Sequence, residues 1–357
     1  MKILEIMTEH TGPFKNLIEV LKEILQETNI EFISDNPDDK DKDNKTKNES
    51  DAINLSESDD EYNNNDSDDD DLGSVNSEDE FDNGDTNNDN PKNSDKQNNP
   101  VTSTDKSGMR IMAVDTTKTV LINLKLEAKN FTKFKCKSKK LVLGVNLMYL
   151  YKLIKSMNNT DNLTLSVDHD DKNHLQIKID NPDERKDTKY VLKLLDLGNP
   201  PLYVPEINFD AVIIMNSNEF NKICREMNQI AEYVEISCLS NKITFVCKGD
   251  YAERITTYKA GDGFDGDGIT IRHIDNNNKN NPLIIQGIFE LKNLILFSKC
   301  HQLCEDIEIY MKNDYPLVIK YTVATLGRIL LCLTPTNNKV ANASFSDEDE
   351  LYSDGEI

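Results

Sequence analysis

The sequence predicts an α+β fold of two similar halves, each an antiparallel sheet assembly with its helices on one face. Three observations predict it. The chain repeats itself, so architecture precedes chemistry: FKNLIEVLKEIL (Phe14 to Leu25), followed by the apolar run Ile30–Ile33, returns as FNKICREMNQI (Phe220 to Ile230), followed by Val234–Ser237. Helices are few and short alternating strands are many, the pattern of helices packed on one side of antiparallel sheet. The net charge of −23 is carried by two appendages, leaving about −1 on the other 267 residues, a size suited to about two ordinary domains.

In chain order, Phe14, Leu17, Ile18, Leu21 and Leu25 form one stripe at helical spacing, and Ile30–Ile33 reads as a strand. The block Asn36–Gly108 holds 23 acidic and 7 basic residues, a net −16, with few aromatic or β-branched side chains. Such a segment cannot bury enough apolar surface to offset its ordering entropy, and it reads as a disordered acidic insertion between two strands. A long surface loop is tolerated there because closure entropy grows slowly with length. Met109–Val114 and Leu121–Leu126 are strands, and Leu147 to Lys155 is a second helix leading into LTLSV and LQIKI. Ser217 reads as the N-cap of a third helix with Phe220, Ile223, Cys224 and Met227 inward. Leu291 to Lys299 is a fourth, leading into IEIYM and LVIKY, so the second pair of helices and strands repeats the first. The tail from Ala341 to Ile357 adds six acids and no base.

Catalytic and metal chemistry find no seat. There is no phosphate-binding loop, no GxSxG and no HExxH, so no enzyme activity, metal or cofactor is expected. Asp68, Asp70 and Gly73 approach a calcium-loop pattern, but Leu72 occupies a ligand position and helical flanks are missing. The glycine cluster Gly261 to Gly268 reads as a hairpin loop. Seven cysteines without disulfide-like spacing suit a reducing compartment, and Cys300 and Cys304 read as buried cysteines, since no second pair completes four metal ligands. Glu5 and Glu9 interrupt the N-terminus and argue against a signal peptide, and no apolar run reaches the roughly 20 residues of a spanning helix, so no membrane partner is expected.

The helices share one property. Each offers two cations on its polar face: Lys15 and Lys22, Lys152 and Lys155, Lys222 and Arg225, Lys292 and Lys299. On any single helix such residues merely solvate the surface. If all four helices share one surface, eight cations match a polyanion held through its backbone without base reading.

At this point the residues resemble a known family. LVLGVNL (Leu141 to Leu147), YVLKLLDL (Tyr190 to Leu197), EFNKICREM (Glu219 to Met227), VEISC (Val234 to Cys238) and PLVIKYTVATLG (Pro316 to Gly327) are similar, in order and spacing, to the eukaryotic-type sliding clamps of the proliferating cell nuclear antigen family. The resemblance covers the body and leaves out the acidic block and tail. It implies a DNA polymerase processivity factor: a homotrimeric ring of two-domain subunits whose helices line a hole for double-stranded DNA, bound without sequence preference. Clamp domains are then expected at residues 1–193 and 210–340, with a connector at 194–209 and the acidic tail at 341–357. Lys186 falls where the family carries an inward basic residue.

The resemblance also implies a peptide pocket walled by Leu202, Val204 and Pro205 of the connector with Val114, Leu121, Pro316, Leu333 and Pro335. There DNA polymerase, clamp loader, nuclease and ligase would dock short motifs. Leu121 and Leu333 could equally be core. Lys118 and Cys332 depart from the family's usual His and Tyr at the pocket rim, and Ser240 stands where a regulatory lysine would be, so modification there is not implied. Lys186–Lys193 and Ala252–Tyr258 look like the edge strands that pair between subunits, with Tyr190 and Ile255 as apolar contacts. The alternative is a clamp-fold scaffold or checkpoint-type subunit that assembles with non-identical partners. Nuclear residence is the expected location. Abundant Asn, Lys, Ile and Asp suggests an AT-rich genome, which makes a cytoplasmic viral replication compartment the alternative.

Overall fold

The computed structural model describes residues 1–34, 107–198, 202, 207–261, 268–273 and 284–336. Most of the acidic block, the calcium-like Asp68 to Gly73, residues 262–267 of the glycine cluster, Val204, Pro205 and the tail lie outside them. The described residues form two halves with one element order. The first runs β1 (Lys2–Thr8), α1 (Thr11–Ile24), β2 (Glu27–Ile33), β3 (Gly108–Val114), β4 (Val120–Glu127), β5 (Lys133–Cys136), β6 (Lys140–Asn146), α2 (Leu147–Ile154), β7 (Asn162–Asp168), β8 (Asp171–Asn181) and β9 (Lys186–Lys193). The second runs β10 (Ala211–Asn216), α3 (Ser217–Met227), β11 (Tyr233–Leu239), β12 (Lys242–Lys248), β13 (Glu253–Lys259), β14 (Thr270–His273), β15 (Ile285–Glu290), α4 (Leu291–Ser298), β16 (Asp306–Met311), β17 (Leu317–Val323) and β18 (Gly327–Leu333).

The sheets carry the repeat. The first half builds a five-stranded sheet, β5-β1-β7-β8-β9, and a four-stranded set, β6-β2-β3-β4. The second half builds the same five, β14-β10-β16-β17-β18, and the same four, β15-β11-β12-β13. Within the chain, the five of the second half join the four of the first: β18 pairs antiparallel with β4, giving one nine-stranded sheet. The other five and the other four end at β9 and β13.

Burial follows the predicted periodicities. Phe14, Leu17, Ile18 and Leu21 of α1 have no exposed surface, and Phe220, Ile223, Cys224 and Met227 of α3 are equally enclosed. Full burial of such side chains stabilises by roughly 1.5–3 kcal/mol each. Both groups belong to one core that runs through the two halves. The cap of α3 is Asn216 rather than Ser217: its side-chain oxygen accepts from the N–H of Asn218 at 3.0 Å and of Glu219 at 3.4 Å. Ser217 is already helical, and its hydroxyl donates instead to the Cys304 carbonyl at 2.7 Å. Asn146 caps α2 in the same way, accepting from the Tyr149 N–H at 3.0 Å.

The acidic block ends earlier than the composition suggested, because Gly108 opens β3. Its φ of +145° and the Leu126 carbonyl oxygen, 2.0 Å from where a Cβ would stand, admit only glycine. Cys300 is fully buried and Cys304 half-buried, with both thiols pushed up by burial. No helix among the described residues is long and apolar enough to cross a membrane.

Candidate nucleic-acid interface

The four helices form one continuous row. α1 packs on α2, α3 packs on α4, and across the halves α1 meets α4 and the 3-10 turn Lys299–Gln302 that follows it. The order along the row is therefore α2, α1, α4, α3. The four helices are thus contiguous, and Lys152, Lys155, Lys222, Arg225, Lys292 and Lys299 are exposed on or directly after them. Lys186 is on a strand and not a helix, exposed at the start of β9 with Glu184 at 4.0 Å.

The eight cations are not equivalent. At the middle of the row, Glu23 of α1 accepts from both Lys299 and Lys22, the latter at 3.3 Å. Burial alone would raise the Glu23 carboxyl, but the two ammonium groups more than offset it and hold it below the usual carboxylate range. Lys22 also stands 4.7 Å over the Tyr151 ring, and its side chain is only 12% exposed. Tyr151 hydrogen-bonds Glu19, which pushes the phenol up to about 12. Lys15 donates to the Met157 carbonyl at 2.7 Å, and Lys292 pairs with Glu290 at 2.9 Å. Toward the ends of the row, Lys155, Lys222 and Arg225 have no carboxylate partner among the described residues, and Lys152 stands 5.6 Å over the Tyr149 ring. The carboxylates of α3 are held elsewhere: Glu226 pairs with Arg254 of β13 at 2.6 Å, and Glu219 hydrogen-bonds Tyr258.

The opposite face of the nine-stranded sheet carries a second, smaller apolar cluster: Phe209, Val212, Tyr310, Val318 and Leu330, with Ile207 and Cys332 against it. Phe209 and Tyr310 stack tilted at 5.4 Å, and Lys320 pairs with Glu308 at 2.7 Å beside them. Strand register extends this face from Val318 to Cys332, from Cys332 to Leu121, and from Leu121 to Val114. Val114 and Leu121 are thus brought together, both half-buried. Leu333 is not among them. It is 1% exposed and belongs to the main core, because side chains alternate along β18 and its neighbour Cys332 takes the outward direction. Pro316 and Pro335 are half-buried beside this face, the latter fixed by Thr334 N–H donating to the Thr119 carbonyl at 3.0 Å. Leu202 is 40% exposed.

Residues 95–199 match the family "Proliferating cell nuclear antigen, N-terminal domain", and residues 203–336 match "Proliferating cell nuclear antigen, C-terminal domain". A "Probable DNA polymerase sliding clamp 1" of Paramecium bursaria Chlorella virus 1 is 31% identical over 233 residues, covering 64% of this chain and 84% of the relative. The chain belongs to the proliferating cell nuclear antigen family of DNA polymerase sliding clamps. A "Probable DNA polymerase sliding clamp" of Acanthamoeba polyphaga mimivirus is 31% identical over 340 residues, 94% of this chain, which spans 63% of that relative's length. The crystal structure of proliferating cellular nuclear antigen from Entamoeba histolytica has the same fold, with a TM-score of 0.65 at 20% identity, covering 94% of this clamp and all of that chain. The family is non-catalytic, in keeping with the missing enzyme motifs.

Two groups of residues escaped the sequence reading of this clamp. On β9, Tyr190 leans against its own core while Val191 is 57% exposed beside it, so Val191 is the outward apolar residue of that edge. Ile255 on β13 is 63% exposed. The outer cluster was also missed. Its signal lay in the unbroken apolar runs AVIIM and ILLCL, which lack the alternation of a one-sided strand because both faces are covered.

Proposed function

We propose that three copies of this clamp close head to tail into a ring that encircles duplex DNA, slides on it through sequence-independent phosphate contacts, and tethers replication and repair enzymes. The observation that carries this reading is the repeat of the sheets. The seam within the chain joins a five-strand set to a four-strand set through β18 and β4. β9 holds the place of β18 in the first half, and β13 holds the place of β4 in the second. Pairing β9 of one copy with β13 of the next repeats the seam the chain already makes. It yields a second nine-stranded sheet of the same composition and removes both unpaired edges. The same operation carries the helix row onward, so every copy adds α2, α1, α4 and α3 to one inner surface.

Enclosure then prevents escape while individual phosphate contacts stay weak enough to slide. The domain split falls at the connector, 194–209, and DNA polymerase, clamp loader, nuclease and ligase dock short peptides on the outer face around Val114, Leu121 and Leu202. The viral relatives favour the replication compartment of a large DNA virus over a nucleus as the working location. Native mass spectrometry tests the assembly. The ring requires three times the 40.6 kDa chain mass, whereas a single-chain mass, or assembly only with a different chain, would overturn it.

A further inference from the structure

We infer that the positive charge this clamp offers to DNA is concentrated at the seams between subunits, on Lys152, Lys155, Lys222 and Arg225. Glu23 acts as an internal counter-ion that withdraws Lys22 and Lys299 at the seam within each chain. The inference rests on the encircling reading and adds to it an uneven distribution of phosphate contacts around the bore.

Equivalent positions in the two halves carry different charges. Lys299 directly follows α4 as Lys155 follows α2, each eight residues beyond the buried leucine that opens its helix, Leu291 or Leu147. At the seam within the chain, Lys299 meets Glu23, nine residues beyond the buried Phe14 of α1. The position nine residues beyond Phe220, the equivalent phenylalanine of α3, is Gln229, which is exposed and uncharged. When β9 pairs with β13, the end of α3 approaches α2 of the neighbouring copy, so Lys155 meets a glutamine where Lys299 meets a carboxylate. Lys222 and Arg225 stand on the same α3, and the two carboxylates of that helix are engaged by Arg254 and Tyr258 of β13.

A cation already neutralised by a partly buried carboxylate releases few counter-ions on meeting a phosphate, whereas an unpaired one contributes fully to the salt dependence of binding. Lys22 is further removed by its position over the Tyr151 ring. The surface therefore alternates around the ring: weakly charged where halves of one chain meet, strongly charged where chains meet.

The experiment threads the trimer onto linear duplex and follows affinity against salt concentration, after mass and thermal melting confirm that each variant keeps the trimer. Glu23→Gln should raise affinity several-fold at low salt and steepen the log–log salt slope, and adding Lys22→Gln with Lys299→Gln should cancel that gain. Lys155→Gln with Arg225→Gln should weaken binding by about tenfold, clearly more than Lys22→Gln with Lys299→Gln in the wild-type background. The inference is overturned if Glu23→Gln changes nothing in an intact trimer, or if the two double variants cost the same. Should Glu23→Gln not fold, the comparison of the double variants decides alone. Encirclement is read separately, by blocking both duplex ends after threading: wild-type protein that escapes past the blocks contradicts the ring itself, whatever the charge variants do.

Discussion

The seam within the chain and the two free edges are the same structural position met twice, once closed and once open. On the outward face of the closed seam, Cys332 of β18 lies opposite Leu121 of β4, and both are half-buried. At the open edges Val191 and Ile255 keep more than half of their surface in solvent. The closed seam is sealed by covalent connection, so its pairing costs no loss of translational freedom. The open pairing must overcome that loss from its own contacts and depends on concentration. In the proposed ring, a repeat that joins itself once inside the chain also specifies how copies join outside it.

Breaking the closed seam should have the largest effect. Leu331→Ala deletes a fully buried side chain and should destabilise by about 2–5 kcal/mol, measured by urea unfolding. Ile255→Glu should leave circular dichroism and melting of the chain nearly unchanged while shifting the solution mass from three chains to one. Retained trimer mass would remove β13 from the subunit boundary. In the proposed peptide pocket, Leu202→Ala with Val204→Ala should weaken binding of a labelled polymerase-tail peptide by about 1–3 kcal/mol, and equal affinities would place the peptide elsewhere. Asn216→Ala removes the cap of α3 and should cost about 1 kcal/mol without altering assembly.

The smallest effect is one of pH. Burial would raise the Glu308 carboxyl, but Lys320 and Tyr310 hold it below its ordinary value of 4.5. Its contribution to stability is therefore fully present above that pH and lost as pH falls through the lower folded value. The melting-temperature gap between wild type and Glu308→Gln should shrink on acidification below pH 4.5.

Much of the fold was legible because amphipathic period and repeat act locally: the stripe on α1 and the alternation in LTLSV name their own faces. What was illegible depended on partners distant in sequence. Cys332 and Leu333 look interchangeable until β17 and β4 flank them, and then only one faces outward. Tyr190 outranks Val191 on size, yet the pleat turns the tyrosine inward. Lys22 and Lys299 read as free cations because Glu23 meets Lys299 only across the two halves, 276 residues apart.

Amide hydrogen exchange of the wild-type protein at high concentration addresses the central claim most directly, since it reports strand pairing residue by residue. Paired edges predict slow exchange along Lys186–Lys193 and Glu253–Lys259, comparable to β18 and β4, and fast exchange of both edges on dilution or in Ile255→Glu. Fast exchange at both edges in concentrated wild-type protein, while β18 and β4 stay protected, would contradict the ring.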